Sequence, residues 1–146
     1  MLTQTDELTK NLHALLHLHY PSGHFLLDEE KNALIVITSQ KPKICTFSYK
    51  EWKLLQTLLL AYPYSASFTN LFASISSWVV EECEQRFSEM QRSGRPMKDE
   101  LAPLYDGMRT LRQKLRSVQV DIRSVRMQGY LLVSHSETEL PMHKGA

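Results

Sequence analysis

Between Arg109 and Arg126 the chain sets six cations, Arg109, Arg112, Lys114, Arg116, Arg123 and Arg126, against one acid, Asp121, within eighteen residues. A guanidinium is a rigid fork of donors that fits a phosphate or a guanine edge, and an ammonium is a point charge that can pin a phosphate. Such a run is either a solvated helix face or a surface for a polyanion. The totals give no hint of the second: 146 residues carry a formal net charge of +1. The isoelectric point is 7.8, where a nucleic-acid-binding domain typically exceeds about 9. Distribution says more than the sum. The stretch from Val80 to Asp106 is acidic, so charge is polarised along the chain, as a one-faced binder requires.

Other chemistry is sparse. His13 and His17 stand four apart, a spacing at which two imidazoles on one helical face can share a zinc ion. No Glu or Cys lies at a matching spacing, and a third ligand such as His24 or Cys83 would have to come from elsewhere in the fold. His13, His17 and His19 are therefore read as neighbours of a leucine stripe, with no metal and no cofactor expected. No glycine-rich phosphate loop or nucleophile elbow is present, and His, Ser, Cys and acids form no spaced constellation, so no enzyme is expected. Cys45 and Cys83 lack partner spacing. Both are expected to be reduced, in a cytoplasmic chain.

The elements that must position the basic run follow from periodicity. The length suits one domain with its own core, and the composition, 42% hydrophobic and 23% charged, is that of a globular chain. No apolar run approaches the ~20 residues that span a bilayer, and the acidic start argues against a secretory signal. Leu8, Leu12, Leu15, Leu16 and His19 predict a helix over Thr5 to Tyr20, ended by Pro21-Ser22-Gly23. His24 to Leu27, Ala33 to Thr38 and Lys43 to Thr46 read as a three-stranded antiparallel meander. Ser48 and Glu51 form a capping-box pattern ahead of Trp52, Leu55, Leu58 and Leu59, and Tyr62-Pro63 stops that helix. A second helix should start at Phe68 or Thr69, with Leu71, Phe72, Ile75, Trp78 and Val79 inward. It is expected to continue through Phe87 and Met90 to Ser93-Gly94-Arg95-Pro96. A third runs from Pro103 to about Ser117. Asp121 to Ser134 reads as a hairpin with its turn near Met127 to Gly129, the glycine permitting the turn.

The predicted class is α+β: an N-terminal helix, a small antiparallel sheet, three helices and a C-terminal β-hairpin, the layout of a winged helix-turn-helix. Three stretches resemble the OmpR/PhoB-type winged-helix family of response-regulator effector domains. Phe47 to Leu58 is similar to the family's first helix, Leu-Thr-x-x-Glu-Phe-x-Leu-Leu-x-x-Leu. Met108 to Leu115 resembles the end of its recognition helix, Ile-Ser-Arg-Leu-Arg-Lys-Lys-Leu. Ile122 to Leu132 resembles its wing, Ile-x-Thr-Val-Arg-Gly-x-Gly-Tyr-x-Leu, and is the most specific of the three. The match spans roughly His24 to Ser134. It implies a transcriptional regulator that binds double-stranded DNA, with the third helix in the major groove and the wing on the adjacent minor groove or backbone. From the resemblance, Thr110, Arg112, Ser124 and Arg126 fall on DNA-contacting positions. With the other cations, the candidate set is Arg109, Thr110, Arg112, Lys114, Arg116, Arg123, Ser124 and Arg126.

The chain also departs from the family. Met127 replaces the glycine after the wing arginine, and Ser67-Phe68 replaces the Ser-Arg that opens the family's second helix. The segment from Val79 to Ala102 is longer than usual and acidic; in the family this region touches RNA polymerase or regulates that contact. No receiver domain precedes the match, so phosphorylation control in the family's manner is not expected. Residues 1–20 are expected to form the N-terminal helix, 21–134 the winged-helix domain and 135–146 a flexible tail. The stripe Leu8, Leu12, Leu15 and Leu16 has two readings, a homodimer seam or packing on the domain's own sheet. The alternative function is a protein-interaction adaptor that has lost DNA binding.

Overall fold

Ser48 and Glu51 close the capping box that their spacing implies. The Ser48 Oγ accepts the Glu51 N–H at 3.2 Å, and the Glu51 carboxylate accepts the Ser48 N–H at 2.8 Å. That start fixes helix α2, Tyr49–Ala61, whose Trp52, Leu54, Leu55, Leu58 and Leu59 form the centre of the core. The computed structural model describes residues 4–21, 23–38, 41–94 and 97–134. The tail expected from residues 135–146 lies outside them.

In front of α2 lie helix α1, Gln4–Leu16, and a meander of β1, His24–Asp28, β2, Ala33–Ile37, and β3, Lys43–Thr46. The strands are antiparallel in the order β1-β2-β3, with Leu27 opposite Leu34 and Leu34 opposite Cys45. The leucine stripe of α1 is buried within the chain: Leu8, Leu12, Leu15 and Leu16 are at most 2% exposed. They share one core with Phe25, Val36 and Leu59, and the Asn11 carboxamide donates to the Leu59 carbonyl at 2.7 Å. This corrects the dimer-seam reading, because the four leucines are consumed inside the protomer and leave no stripe for a second copy.

A two-residue strand β4, Ala66–Ser67, leads into α3, Phe68–Ile75, capped by the Ser67 Oγ on the Asn70 N–H. Here the single long second helix is corrected. The chain leaves helical geometry at Ser76, which sits in the extended region and whose Oγ accepts the Trp78 N–H. Serine hydroxyls that bond nearby backbone offer this alternative to the helical ladder. A separate helix α4, Val80–Ser93, then begins. Leu71 and Phe72 are buried as expected, but Val79 is 55% exposed at the new cap. Trp78 packs on Phe72 with the Arg86 guanidinium over its ring. Cys83, Phe87 and Met90 form the buried side of α4.

After a short α5, Met97–Glu100, helix α6 runs over Ala102–Leu115 with Pro103 in its first turn and continues as a 3₁₀ turn, Arg116–Val118. Leu104, Met108, Leu111 and Leu115 face the core. Gly107 allows α6 to lie close on α2: a Cβ there would stand 2.7 Å from the buried Leu54 Cδ1. The hairpin pairs β5, Val120–Val125, with β6, Gly129–Ser134, and β4 adds to the other edge of β6, giving the order β4-β6-β5. At the turn the expected roles exchange. Met127 takes the left-handed conformation, φ 62°. Gly129 is required for a different reason, since a Cβ would lie 1.8 Å from the Ala66 carbonyl oxygen. The result is the expected α+β winged helix, with α4 and α5 inserted between α3 and α6.

Candidate nucleic-acid interface

Helix α6 turns a buried stripe inward, so the side chains between those positions must stand on its outer surface. Arg109, Arg112, Lys114 and Arg116 are exposed there, as are Arg123, Ser124 and Arg126 on the hairpin, and Thr110 is half-buried. The structure thus brings all eight candidate residues onto α6, its 3₁₀ extension and the adjoining hairpin. Between helix and hairpin runs a groove of about 400 Å³, lined by Arg109, Arg112 and Arg116 on one wall and Ile122, Ser124 and Tyr130 on the other. The Tyr130 ring packs edge-on against Phe68, and Leu132 is buried, so the wing is anchored to the body where its exposed residues begin.

The candidate side chains are not equivalent. The Arg112 Nε donates to the Asp121 Oδ1 at 2.7 Å and its Nη2 to Oδ2 at 3.3 Å, while the Ile122 N–H donates to Oδ1 at 2.9 Å. Burial pushes the Asp121 carboxyl up, but Arg112, the Ile122 N–H and the nearby Arg116 together hold it below the usual carboxylate range. The same bond raises the Arg112 guanidinium. Lys114 is held in the same way, its Nζ 2.6 Å from the Glu51 Oε1. Burial raises the Glu51 carboxyl, and the hydrogen bonds donated by Lys114 and the Ser48 N–H help to overcome that penalty and lower it. Two of the four cations on α6 and its 3₁₀ extension are therefore pinned by acids of α2 and β5.

The rest stand outward. Arg109 meets Asp106 one turn earlier, with both side chains well exposed, 70% and 62%. Such a solvated pair has little hold on either partner. The Thr110 hydroxyl donates to the Gly107 carbonyl. Met127, 80% exposed, forms the tip of the wing beside Arg126. The Phe68 ring packs on Tyr130, and its N–H donates to the Gln128 carbonyl. Sequence reasoning missed Glu51 and Asp121, the two acids that set the direction of Lys114 and Arg112. The signal for one was present, because Asp121 is the lone acid of the basic run. It also missed Lys43 of β3, whose Nζ reaches the Ser117 carbonyl at 3.4 Å beside the end of α6.

His13 packs edge-on against Phe25 with ring centroids 5.0 Å apart. Among the described residues no group of three His, Cys, Asp or Glu is placed to hold a metal ion, and no helix is long and apolar enough to cross a membrane.

No family model and no curated protein matches the chain. Among solved structures it is similar to the DNA-binding domain of the response regulator AdeR, crystallised in complex with an intercistronic region. The identity is 14% and the TM-score 0.48, over 75% of this chain and 93% of that one. By its own topology, a strand meander, a helical body and a hairpin packed beside the last helix, the chain has the winged-helix fold.

Proposed function

We propose that this chain is a sequence-specific double-stranded DNA-binding transcriptional regulator, with α6 in the major groove and the β5–β6 wing on the adjacent minor groove or backbone. The observation that carries this reading is the groove between the exposed side of α6 and the hairpin, lined by Arg109, Arg112, Arg116 and Ser124, with Arg123 and Arg126 exposed on the same hairpin. A helix of this exposed, basic kind fits the major groove, and a hairpin cation beside it reaches the neighbouring backbone. The near-neutral total charge does not weigh against this, because α4 carries four glutamates against two arginines and offsets the basic face. In the family that α6 and the wing resemble, the segment before the recognition helix meets RNA polymerase, and α4 is the candidate for that contact here.

The test is a gel shift with the Arg109→Ala/Arg126→Ala double variant against a duplex that the wild type binds. Loss of the shift with the melting temperature held supports the reading; an unchanged dissociation constant opposes it. A second reading, a protein-interaction adaptor, draws on the outer face of the meander. There Leu26, opposite Ile35, and Ile44, also opposite Ile35, form an apolar row, with Leu26 53% and Ile44 62% exposed. Wild-type protein that shows no salt-dependent duplex binding favours the adaptor.

A further inference from the structure

Resting on the reading that α6 enters the major groove, we propose that Gln113 is the residue of this chain that reads a base, and that the base is adenine. The argument begins with the geometry of the helix. At about 100° per residue, the direction opposite the buried stripe of Leu104, Met108, Leu111 and Leu115 falls between Asp106 and Gln113, one close on either side of it. Asp106, Arg109, Thr110, Arg116 and Ser117 flank that crest, while Arg112 and Lys114 stand on its two shoulders. Gln113 also borders both grooves beside the helix, the one against the hairpin and the one against β3. Any surface that receives α6 crest-first meets this side chain at its centre.

The second observation is which groups are already engaged. On the shoulders, Arg112 is bound to Asp121 and Lys114 to Glu51. On the crest, the Thr110 hydroxyl donates to the Gly107 carbonyl and the Ser117 hydroxyl to the Lys114 carbonyl, while Arg109 and Arg116 carry donors alone. Among the described residues the Gln113 carboxamide is exposed and makes no hydrogen bond. It is the crest side chain that carries both an amide donor and a carbonyl acceptor. That pair matches the N7 acceptor and N6 amino donor of adenine in the major groove, whereas an arginine offers donors alone and suits guanine. Arg112 and Lys114 then act as positioning residues, tying the helix to β5 and α2 so that the crest is presented in one orientation.

The experiment selects bound sites from a random duplex pool with the full wild-type chain, Gln113→Ala and Gln113→Arg. Duplex affinities and melting temperatures are measured for each. The wild type is expected to fix an A·T pair at one position of each bound site. Gln113→Ala should lose that preference and bind the wild-type site roughly 5- to 150-fold more weakly, the range for one bidentate base contact. Its affinity for unrelated duplex and its melting temperature should not change. Gln113→Arg should shift the same position towards G·C. An alanine variant that selects the wild-type site unchanged overturns the inference. So does one that weakens equally on every duplex, which would make Gln113 a backbone contact. Wild-type protein that selects a sequence in which no position depends on Gln113 overturns the inference alone; salt-dependent binding that selects no sequence overturns the sequence-specific reading with it, and failure to bind any duplex overturns the DNA reading beneath both.

Discussion

Removing the Arg112 side chain separates two roles that share one residue. If Arg112 is chiefly a tie between α6 and β5, Arg112→Ala must lower stability, whereas an outward cation would cost almost nothing. The tie is bidentate, with Nε and Nη2 on the two carboxylate oxygens of Asp121, and the carboxylate side is only 10% exposed against 47% for the guanidinium. A hydrogen bond to a charged group contributes about 1.5–3 kcal/mol, and the solvent access of Arg112 points to the lower half of that range. Arg112→Ala also leaves the Asp121 carboxylate with the Ile122 N–H alone, so about 1.5–2.5 kcal/mol is expected, a fall of several degrees in melting temperature. Arg112→Lys keeps the charge without the fork and should recover less than half. Chemical denaturation of wild type, Arg112→Ala, Asp121→Ala and the double variant gives the coupling, expected at about 1–2 kcal/mol. The sign with pH follows from the lowered Asp121 carboxyl. Its folded value lies below its unfolded one, so the stabilisation is complete above about pH 5 and is lost as pH falls through the folded value. Asp121→Asn should flatten that acid loss. A coupling below about 0.5 kcal/mol, with stability untouched by Arg112→Ala, would refute the tie and return Arg112 to the set of free cations.

Two further outcomes test the frame that holds the site. Leu12→Ala, which removes a 2% exposed side chain of α1, should cost about 2–5 kcal/mol in denaturant unfolding without changing the sedimentation coefficient; a full-length chain that instead passes from dimer to monomer would show that α1 is a seam after all. Gly129→Ala sets a Cβ against the Ala66 carbonyl, which cannot yield without opening β4 from β6. A cost of about 3 kcal/mol or more in thermal melting is expected, and an unperturbed melt would contradict the close approach.

What the sequence disclosed and what it hid divide along the range of the interactions. The Ser48–Glu51 cap, the meander, the start of α6 at Pro103 and the hairpin were all legible because their signals lie within a few residues of one another. The break at Ser76 was not, since Phe72, Ile75, Val79 and Phe87 continue a helical rhythm that the local serine bonds interrupt. Gly129 was read as a turn residue, yet its need arises from Ala66, far away in the chain. The same limit applied to the cations. The basic run placed its cations on α6 and the hairpin, but Lys114 is pinned by a residue 63 positions earlier, and no local pattern marks that pair. The α1 stripe fitted two destinations equally from sequence, because amphipathicity states that a face is buried and not against what.

The central claim, that the α6–wing face binds the DNA backbone and bases, is tested most directly by measuring the affinity of the full chain for a labelled duplex across a salt series. Log affinity should fall linearly with log salt at a slope of about −0.9 for each phosphate neutralised, and Arg126→Ala should make the slope shallower by up to about one unit. Affinity that is absent at low salt, or independent of salt, or unaltered in slope by Arg126→Ala would contradict it.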